Sequence, residues 1–434
     1  MELFSSILGF FWEFAKTWWW LFLPFLLWKP ALFLWFQWRQ DIFSSKQGWI
    51  MLELKIPPEV LKPIKGMENV FSGLWQYHDP ANAREKWIEG QYQVNFSIEI
   101  VSSEGQIHFY IRAVQGARRL VESAIYSQYP EAEITLVEDY TKFFPPDIPN
   151  KDWQLWGTNY KLEKADVYPI KTYAAFFEES TTEKEEKRID PLSLLLEGLA
   201  KIGQGEHIWV QIILWPVLPT QDLYVERAHA IVDKLVRRPE NTKPATLMGE
   251  LGKVGYILAT GKEVAKVETK EEIIPPEMKL TPGEREIVAS IEEKISKAAF
   301  QASIRCAYIA KRDNFFSPTK ALPMSFFTQL SSHTLNNFKP ISPTYTKVKT
   351  TTTWFLDARR VFLKRRRLYR YYTSRLSPFY PWEGREKAEA GKFLLNTEEL
   401  ATIFHFPGKM TVPGMAVPRI GAKKGEAPPE LPTE

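Results

Sequence analysis

Cysteine is almost missing: Cys306 is the single one in 434 residues. That excludes an internal disulfide framework and any cysteine-rich metal centre, and it suits a reducing compartment. Histidine is scarce as well. His78, His108, His207, His229, His333 and His405 are scattered, with no pair at the spacing a metal site on a helix or loop needs. Charge of one sign is also lacking. The 56 Lys and Arg against 52 Asp and Glu leave a formal charge of +4, too mild to imply nucleic-acid binding by the chain as a whole, so any such partner has to be argued from a local cluster.

The motifs of the common hydrolases are missing too. No G-x-x-x-x-G-K-[ST] loop is available to cradle phosphates. The pairs Gly252-Lys253, Gly261-Lys262, Gly391-Lys392 and Gly408-Lys409 are followed by Val, Glu, Phe and Met, and none has the upstream glycine. There is no G-x-S-x-G elbow and no H-E-x-x-H pair. His405, in FHFPG, reads as a packed residue. The expectation is a protein that is not an enzyme and has no cofactor and no metal.

What is present is ample apolar material, 44% of the chain against 25% charged residues, enough for two or three domains with proper cores. Its longest hydrophobic run is TWWWLFLPFLLWKPALFLWFQW, residues 17–38, which as a helix would rise about 33 Å, close to the thickness of a bilayer's hydrocarbon core. Lys29, Pro24 and Pro30 oppose insertion, but the surrounding Leu and Phe outweigh one lysine on insertion scales. Trp18, Trp19 and Trp20 at one end and Trp35 and Trp38 at the other have the placing of interfacial aromatic belts. A cleaved signal peptide is disfavoured by the opening Met1-Glu2 and the exit into Arg39. Residues 1–46 are thus expected to be a membrane anchor with one transmembrane helix at 17–38. Arg39, Lys46 and Lys55 after the run, against Lys16 before it, put the C-terminal part in the cytoplasm of a single-pass inner-membrane protein.

Beyond the run the pattern is α+β. Trp49 to Ile56 reads as a strand, and Met67, Val70, Phe71 and Leu74 have helical spacing. Residues 91–101 alternate, with Tyr92, Val94, Phe96, Ile98 and Ile100 on one face and Gln93, Asn95, Ser97 and Glu99 on the other. Ser102 to Gly105 forms a hairpin turn into a strand with Ile107, Phe109, Ile111 and Ala113 on one face. A helix over 116–128 and a strand from Ile134 to Tyr140 complete βαββαβ, a ferredoxin-like (split βαβ) unit over 47–146. A second such module is expected over 150–355. Its strands would be Tyr168–Phe177, Ile208–Trp215, Phe300–Ala310 and Val348–Phe355, its helices would start at Asp190 and span Ser317–Ser331, and a helical insertion would occupy 220–297. Within Phe300–Ala310, Cys306 points inward and reads as a packed thiol.

The C-terminal region changes character. Residues 356–375, LDARRVFLKRRRLYRYYTSR, predict a basic helix opening an arm that runs to 420, with a short capped helix at 396–404 and a disordered tail at 421–434. Arg359, Arg360, Lys364, Arg365, Arg366, Arg367 and Arg370 cluster with Tyr369, Tyr371 and Tyr372, the mixture that phosphate contact and base stacking use. A solvated face, pairing with Glu183, Glu185 and Glu186, and contact with anionic lipid are the alternatives.

Taken together, the hydrophobic run, WIMLELKIP, GMENVFSGL, IHFYIRAVQGARRLVESAIYSQYPEAEI, IWVQIILWPV, LDARRVFLKRRRLY, NTEELATIFHFPG and KKGEAPPELP resemble the membrane-anchored region that precedes the ATPase core in TraD-like coupling proteins of type IV secretion and conjugative DNA transfer. The resemblance spans nearly the whole chain. It implies a non-catalytic, membrane-anchored adaptor or platform, with membrane lipid around the anchor. Here the sequence stops at Glu434 without a RecA-like motor, so a separate TraD-like ATPase is the expected partner. Direct binding of DNA by the basic helix is the alternative function, and a homo-oligomer stays open.

Overall fold

The computed structural model describes residues 2–55, 64–176, 190–236, 280–380 and 391–408. Its first element, α1 (Glu2–Lys46), is a continuous helix with Pro24 and Pro30 inside it. No helix among the described residues is long and apolar enough to cross a membrane. That finding overturns the transmembrane helix expected at 17–38, and with it the anchor, the aromatic belts and the single-pass inner-membrane placement. The physical reason lies in the run itself: six of its 22 residues are tryptophans, each with a polar indole N–H, Lys29 and Gln37 lie inside it, and it leads into Arg39, Gln40 and Asp41. The second half of α1 is also held by protein. Trp35 Nε1 donates to the Trp87 carbonyl at 3.1 Å, Phe36 packs on Trp87 and Phe43 on Tyr92. At Gly90 (φ 73°) the loop comes so close that a Cβ would lie 2.3 Å from the Arg39 carbonyl.

Strand β1 (Trp49–Lys55) leads to helix α2 (Ile64–Trp75) and the hairpin β2 (Phe96–Ser103) and β3 (Gln106–Val114). The hairpin turns through Glu104 and Gly105, both at positive φ, the geometry that matches the twist of the strands it joins. Helix α3 (Arg118–Gln128), β4 (Glu133–Val137) and β5 (Trp153–Leu162) follow. Next come α4 (Ser193–Ala200), β6 (Glu206–Val217), α5 (Pro219–Asp222), α6 (Tyr224–Val236), α7 (Pro282–Ser296) and β7 (Ala299–Lys311). The chain then forms α8 (Ala321–Gln329), β8 (Phe338–Pro340), α9 (Asp357–Thr373), β9 (Phe393–Asn396) and α10 (Thr397–Ile403).

These strands make one antiparallel sheet of nine, in the order β4-β1-β3-β2-β6-β7-β5-β8, with β9 paired to β7. Two separate ferredoxin-like modules are therefore not what the chain builds. The pairing of β2 with β6, from Phe96↔Leu214 to Ser103↔His207, runs the sheet without a break through both halves. Both strands are buried along nearly their whole length, so an edge on either would have left a row of unpaired backbone N–H and C=O groups. Two expected strands are also corrected. Of Tyr168–Phe177, Phe177 lies outside the described residues; the rest contains Pro169 and a short 3-10 turn at Tyr173–Phe176, and its place in the sheet is taken by β5. Val348–Phe355 is irregular, and the edge strand is β8. Of the helical insertion expected at 220–297, α5, α6 and α7 are described. Its residues 237–279 lie outside the described residues, as do 409–434, which hold the end of the arm and the tail, and the acidic residues Glu183, Glu185 and Glu186.

One face of the sheet carries the main core. Leu52, Leu54, Ile98, Ile100, Phe109, Ile111, Val210, Ile212 and Ile304 meet α2 through Val70 and Phe71, α3 through Val121 and Ile125, α4 through Leu195 and Leu199, and α8 through Phe326 and Phe327. Each such side chain contributes about 1.5–3 kcal/mol when fully buried. Cys306 belongs to this face, wholly buried, and burial pushes its thiol up to about 12. Helix α10 closes the same core. Its capping box joins Asn396 and Glu399, and Glu399 also pairs with buried Lys294 of α7 at 2.9 Å. His405 is buried, bonded to the Ala401 carbonyl and to Asp190 at 2.9 Å.

Candidate functional site

The alternation that sends Ile98 and Ile100 into the main core sends Ser97 and Glu99 to the opposite face. Register then aligns a row across five strands: Glu53 opposite Tyr110, Tyr110 opposite Glu99, Glu99 opposite Gln211, and Gln211 opposite Arg305. A half-sheet of polar side chains would ordinarily face water. Here α9 lies over it, burying Leu368, Tyr369 and Tyr372 against Trp209, Leu155 and Ile309. Two residues past the helix, Arg375 adopts a positive φ of 52°, which turns its side chain down into the row.

The Arg375 guanidinium is the hub. It donates to both Glu99 carboxylate oxygens, at 3.1 and 3.2 Å, and to both oxygens of Asp139. Glu99 also accepts from Ser97 Oγ at 2.6 Å, from Tyr140 Oη at 2.6 Å and from Gln211 Nε2 at 2.9 Å. Tyr140 in turn bonds Tyr372 of α9. Burial raises the affinity of Glu99 for a proton, but the charge and hydrogen bonds of Arg375 outweigh it, and the carboxyl sits below its ordinary range. Asp139 is held down for the same reasons.

Two further arginines flank this hub without a carboxylate of their own. Arg305 is wholly buried; Nη2 donates to the Leu376 carbonyl, while Nε and Nη1 have no hydrogen-bond partner among the described residues. Burial pushes it down to about 10, so it is charged at neutral pH. Arg112, opposite Ser97, lies 4.0 Å over the Trp49 ring and is lowered to about 10 by burial and by Arg375. Beside it opens a cavity of about 820 Å³, bounded by the second half of α1, the ends of β1, β3 and β6, and residues 374–377. Lys392, set over the Trp215 ring at 4.2 Å, and Lys86 also reach the cavity.

The predicted cationic cluster divides. Arg360 bonds Thr353 at 2.6 Å and Asp357 at 3.5 Å, Lys364 donates to the carbonyls of Ser342 and Tyr345, and Arg366 pairs with Asp147 at 2.9 Å. Arg365 is half-buried and its pKa is lowered by burial. Only Arg359, Arg367 and Arg370 are exposed, with Arg367 over the Tyr371 ring at 5.0 Å. Next to them stand exposed apolar groups: Trp354 at 71%, Phe355 at 65%, Leu363 at 53% and Phe362 at 43%. Phe355, Arg359, Phe362, Leu363 and Arg367 share one helical face by their spacing.

The described tryptophan side chains of α1 do not converge on a site. Trp18 stacks on Trp20 at 6.3 Å, and Trp35 and Trp38 pack at 5.3 Å with Arg39 over both rings. Trp19 belongs to the helix, and its side chain lies outside the described ones. Sequence reasoning missed Glu99, Arg112, Arg305, Asp139 and Arg375 as one constellation. The available signal was an arginine in the middle of the mostly apolar strand β7. Among the described residues no group of His, Cys, Asp and Glu could hold a metal ion.

No curated protein matches this chain. Residues 57–412 match the family described as Domain of unknown function (DUF8128), a stretch that takes in the whole of the sheet except β1 and leaves α1 outside. The match covers most of the sequence, and the chain belongs to the DUF8128 family.

Proposed function

We propose that this chain is a non-catalytic docking component that engages a separate motor ATPase through the outer face of α9. The observation that carries the reading is the exposed band of Phe355, Phe362 and Leu363 edged by Arg359, Arg367 and Arg370. A contiguous apolar surface rimmed by charge is characteristic of interaction sites, and aromatic residues with arginine are the types that carry binding energy. The helix beneath it is fixed by Tyr372 and Arg375, so the band is presented rigidly and loses little entropy on binding. The cationic rim favours an acidic surface on the partner. The resemblance to TraD-like coupling proteins of type IV secretion supplies the motor as the occupant.

Binding of a purified TraD-like ATPase, followed by interferometry, tests the reading. Leu363→Asp and Arg367→Glu should each weaken it by about tenfold or more, with the circular dichroism spectrum unchanged. An ATPase that does not bind, or that binds both variants as well as the parent, overturns it. Tight, salt-dependent binding of a single-stranded oligonucleotide to this face in place of the ATPase would overturn it too, in favour of the nucleic-acid reading.

A further inference from the structure

Helix α1 is held by the body along one line. Phe36 and Phe43, seven residues apart, meet Trp87 and Tyr92, and Lys29, seven residues before Phe36, lies on the same side of the helix. The opposite side is apolar. Trp20, Leu27 and Leu34 recur every seven residues, and Pro24, Ala31 and Trp38 alternate with them at steps of four and three, which keeps all six in one line. All six are exposed, Leu34 at 63% and Trp20 at 54%. Lys29 is the only charged residue between Thr17 and Trp38, and it is kept off this line.

An apolar line with a repeat of 3.5 is the seam of a helix pair, and it fits a helix with the same repeat. The sizes along this one complement themselves when the line is run backwards. With two copies antiparallel about a two-fold axis, Leu27 comes level with Ala31 of the second copy, Leu34 with its Pro24 and Trp20 with its Trp38, so both leucines meet small side chains. The same setting brings exposed Asp41 within one position of exposed Lys16 of the second copy, an attraction at each end of the pair. Trp20 Nε1 donates to the Thr17 carbonyl of its own helix and Trp35 Nε1 to the Trp87 carbonyl, so neither indole would carry an unpaired donor into the contact. Leu21, Trp28 and Trp35 widen the line on one side, at 44%, 63% and 47% exposure. At about half of the 150–250 Å² of each tryptophan and a similar share of each leucine, the strip offers roughly 700 Å² on each chain, close to the about 800 Å² per partner of a standard stable interface.

We infer that α1 pairs with α1 of a second copy, antiparallel and along this seam, so that the chain is a dimer. The contact uses the same surface on both copies and closes on itself, which limits the assembly to two. The seam lies on α1 and is independent of the outer face of α9, so it stands whether or not the docking reading holds.

Sedimentation velocity of the full chain at micromolar concentration tests the inference. The parent should run at twice the mass of one chain. The double variant Leu27→Asp, Leu34→Asp should run as a monomer, its association weakened by about a hundredfold or more, with the circular dichroism spectrum unchanged because both leucines are exposed in the single chain. Lys29→Glu, on the far side of α1, and Leu363→Asp, on α9, should leave the dimer as it is. Cys306 is wholly buried, so introduced cysteines report the direction of pairing: chains with Trp20→Cys and chains with Trp38→Cys should cross-link to each other on mild oxidation and not to themselves. A monomeric parent, a polydisperse aggregate, a dimer that survives the double variant, or cross-linking of each cysteine variant only to itself overturns the inference. A parent that stays monomeric and co-sediments with phosphatidylcholine vesicles would overturn it too, in favour of a lipid cover for α1.

Discussion

On one face of the sheet Ile98, Ile100, Val210 and Ile304 meet α2, α3, α4 and α8, side chain against side chain. On the other, Ser97, Glu99, Gln211 and Arg305 meet a single basic helix and the turn that follows it. The same strands supply both sets, and both are buried. The first face is held by area and shape, so its energy is spread over many contacts of similar size. The second is held by a hub, so removal of one group leaves several others unpaired in a place without water. A core of the second kind specifies one arrangement more sharply, because α9 fits the sheet only where Tyr372 reaches Tyr140 and Arg375 reaches Glu99 and Asp139.

The sharpest way to break that contrast is Arg375→Ala. It strands Glu99 and Asp139, and the loss expected is about 3–5 kcal/mol in urea unfolding, with loss of the near-ultraviolet signal of Trp209 and Tyr372. A loss below about 1 kcal/mol would mean that the hub is solvated and that α9 is held by its apolar residues alone. Ile98→Ala, on the apolar face at 0% exposure, should cost about 2–5 kcal/mol through the cavity it leaves. Unlike the hub variant, its cost should be the same at pH 7 and pH 4.

Acid sharpens the comparison further. Glu99 and Asp139 are both held below their ordinary values by Arg375. Their contribution is therefore fully present above the unfolded carboxylate value of about 4 and is lost as pH falls through the lower folded values. Between pH 5 and pH 2, roughly, the urea midpoint should fall, and the fall should be shallower in Glu99→Gln, at about 1.4 kcal/mol for each unit of depression removed. An identical acid limb in both proteins would place the acid sensitivity elsewhere. The smallest effect is expected at the solvent side of α9, where Arg366→Ala removes a partly exposed pair with Asp147 and should cost about 0–1 kcal/mol.

Much of the local structure could be read from the sequence, and the reasons differ by element. The strand at 106–114 and the helix stripe of Val70, Phe71 and Leu74 carry a regular period, and the strand at 49–55 is an apolar run stopped by Pro57-Pro58. Thr281-Pro282 and Asn396 with Glu399 are capping signatures that the structure forms as boxes. The joining of the halves was not readable, because nothing in the period of β2 or β6 names its neighbour. Residues 17–38 misled because length and bulk resemble a span, whereas the hydropathy of the run is lowered by its tryptophans and Lys29. The polar row was hidden by a general rule that is usually sound: Ser97 and Glu99, on the polar side of an alternating strand, read as solvated. What buries them is α9, more than 250 residues away along the chain, and only the tertiary fold brings it there.

The second face is held by a specific ionic hub and not by burial in general. A double-mutant cycle on Glu99→Gln and Arg375→Met tests it most directly, with stability measured by urea unfolding for the parent, both single variants and the double. The hub predicts a coupling of about 2 kcal/mol or more, the double variant being less destabilised than the sum of the singles because neither leaves the other a stranded charge. Additivity within about 0.5 kcal/mol would contradict it, and would show that the two faces of the sheet are held in the same way.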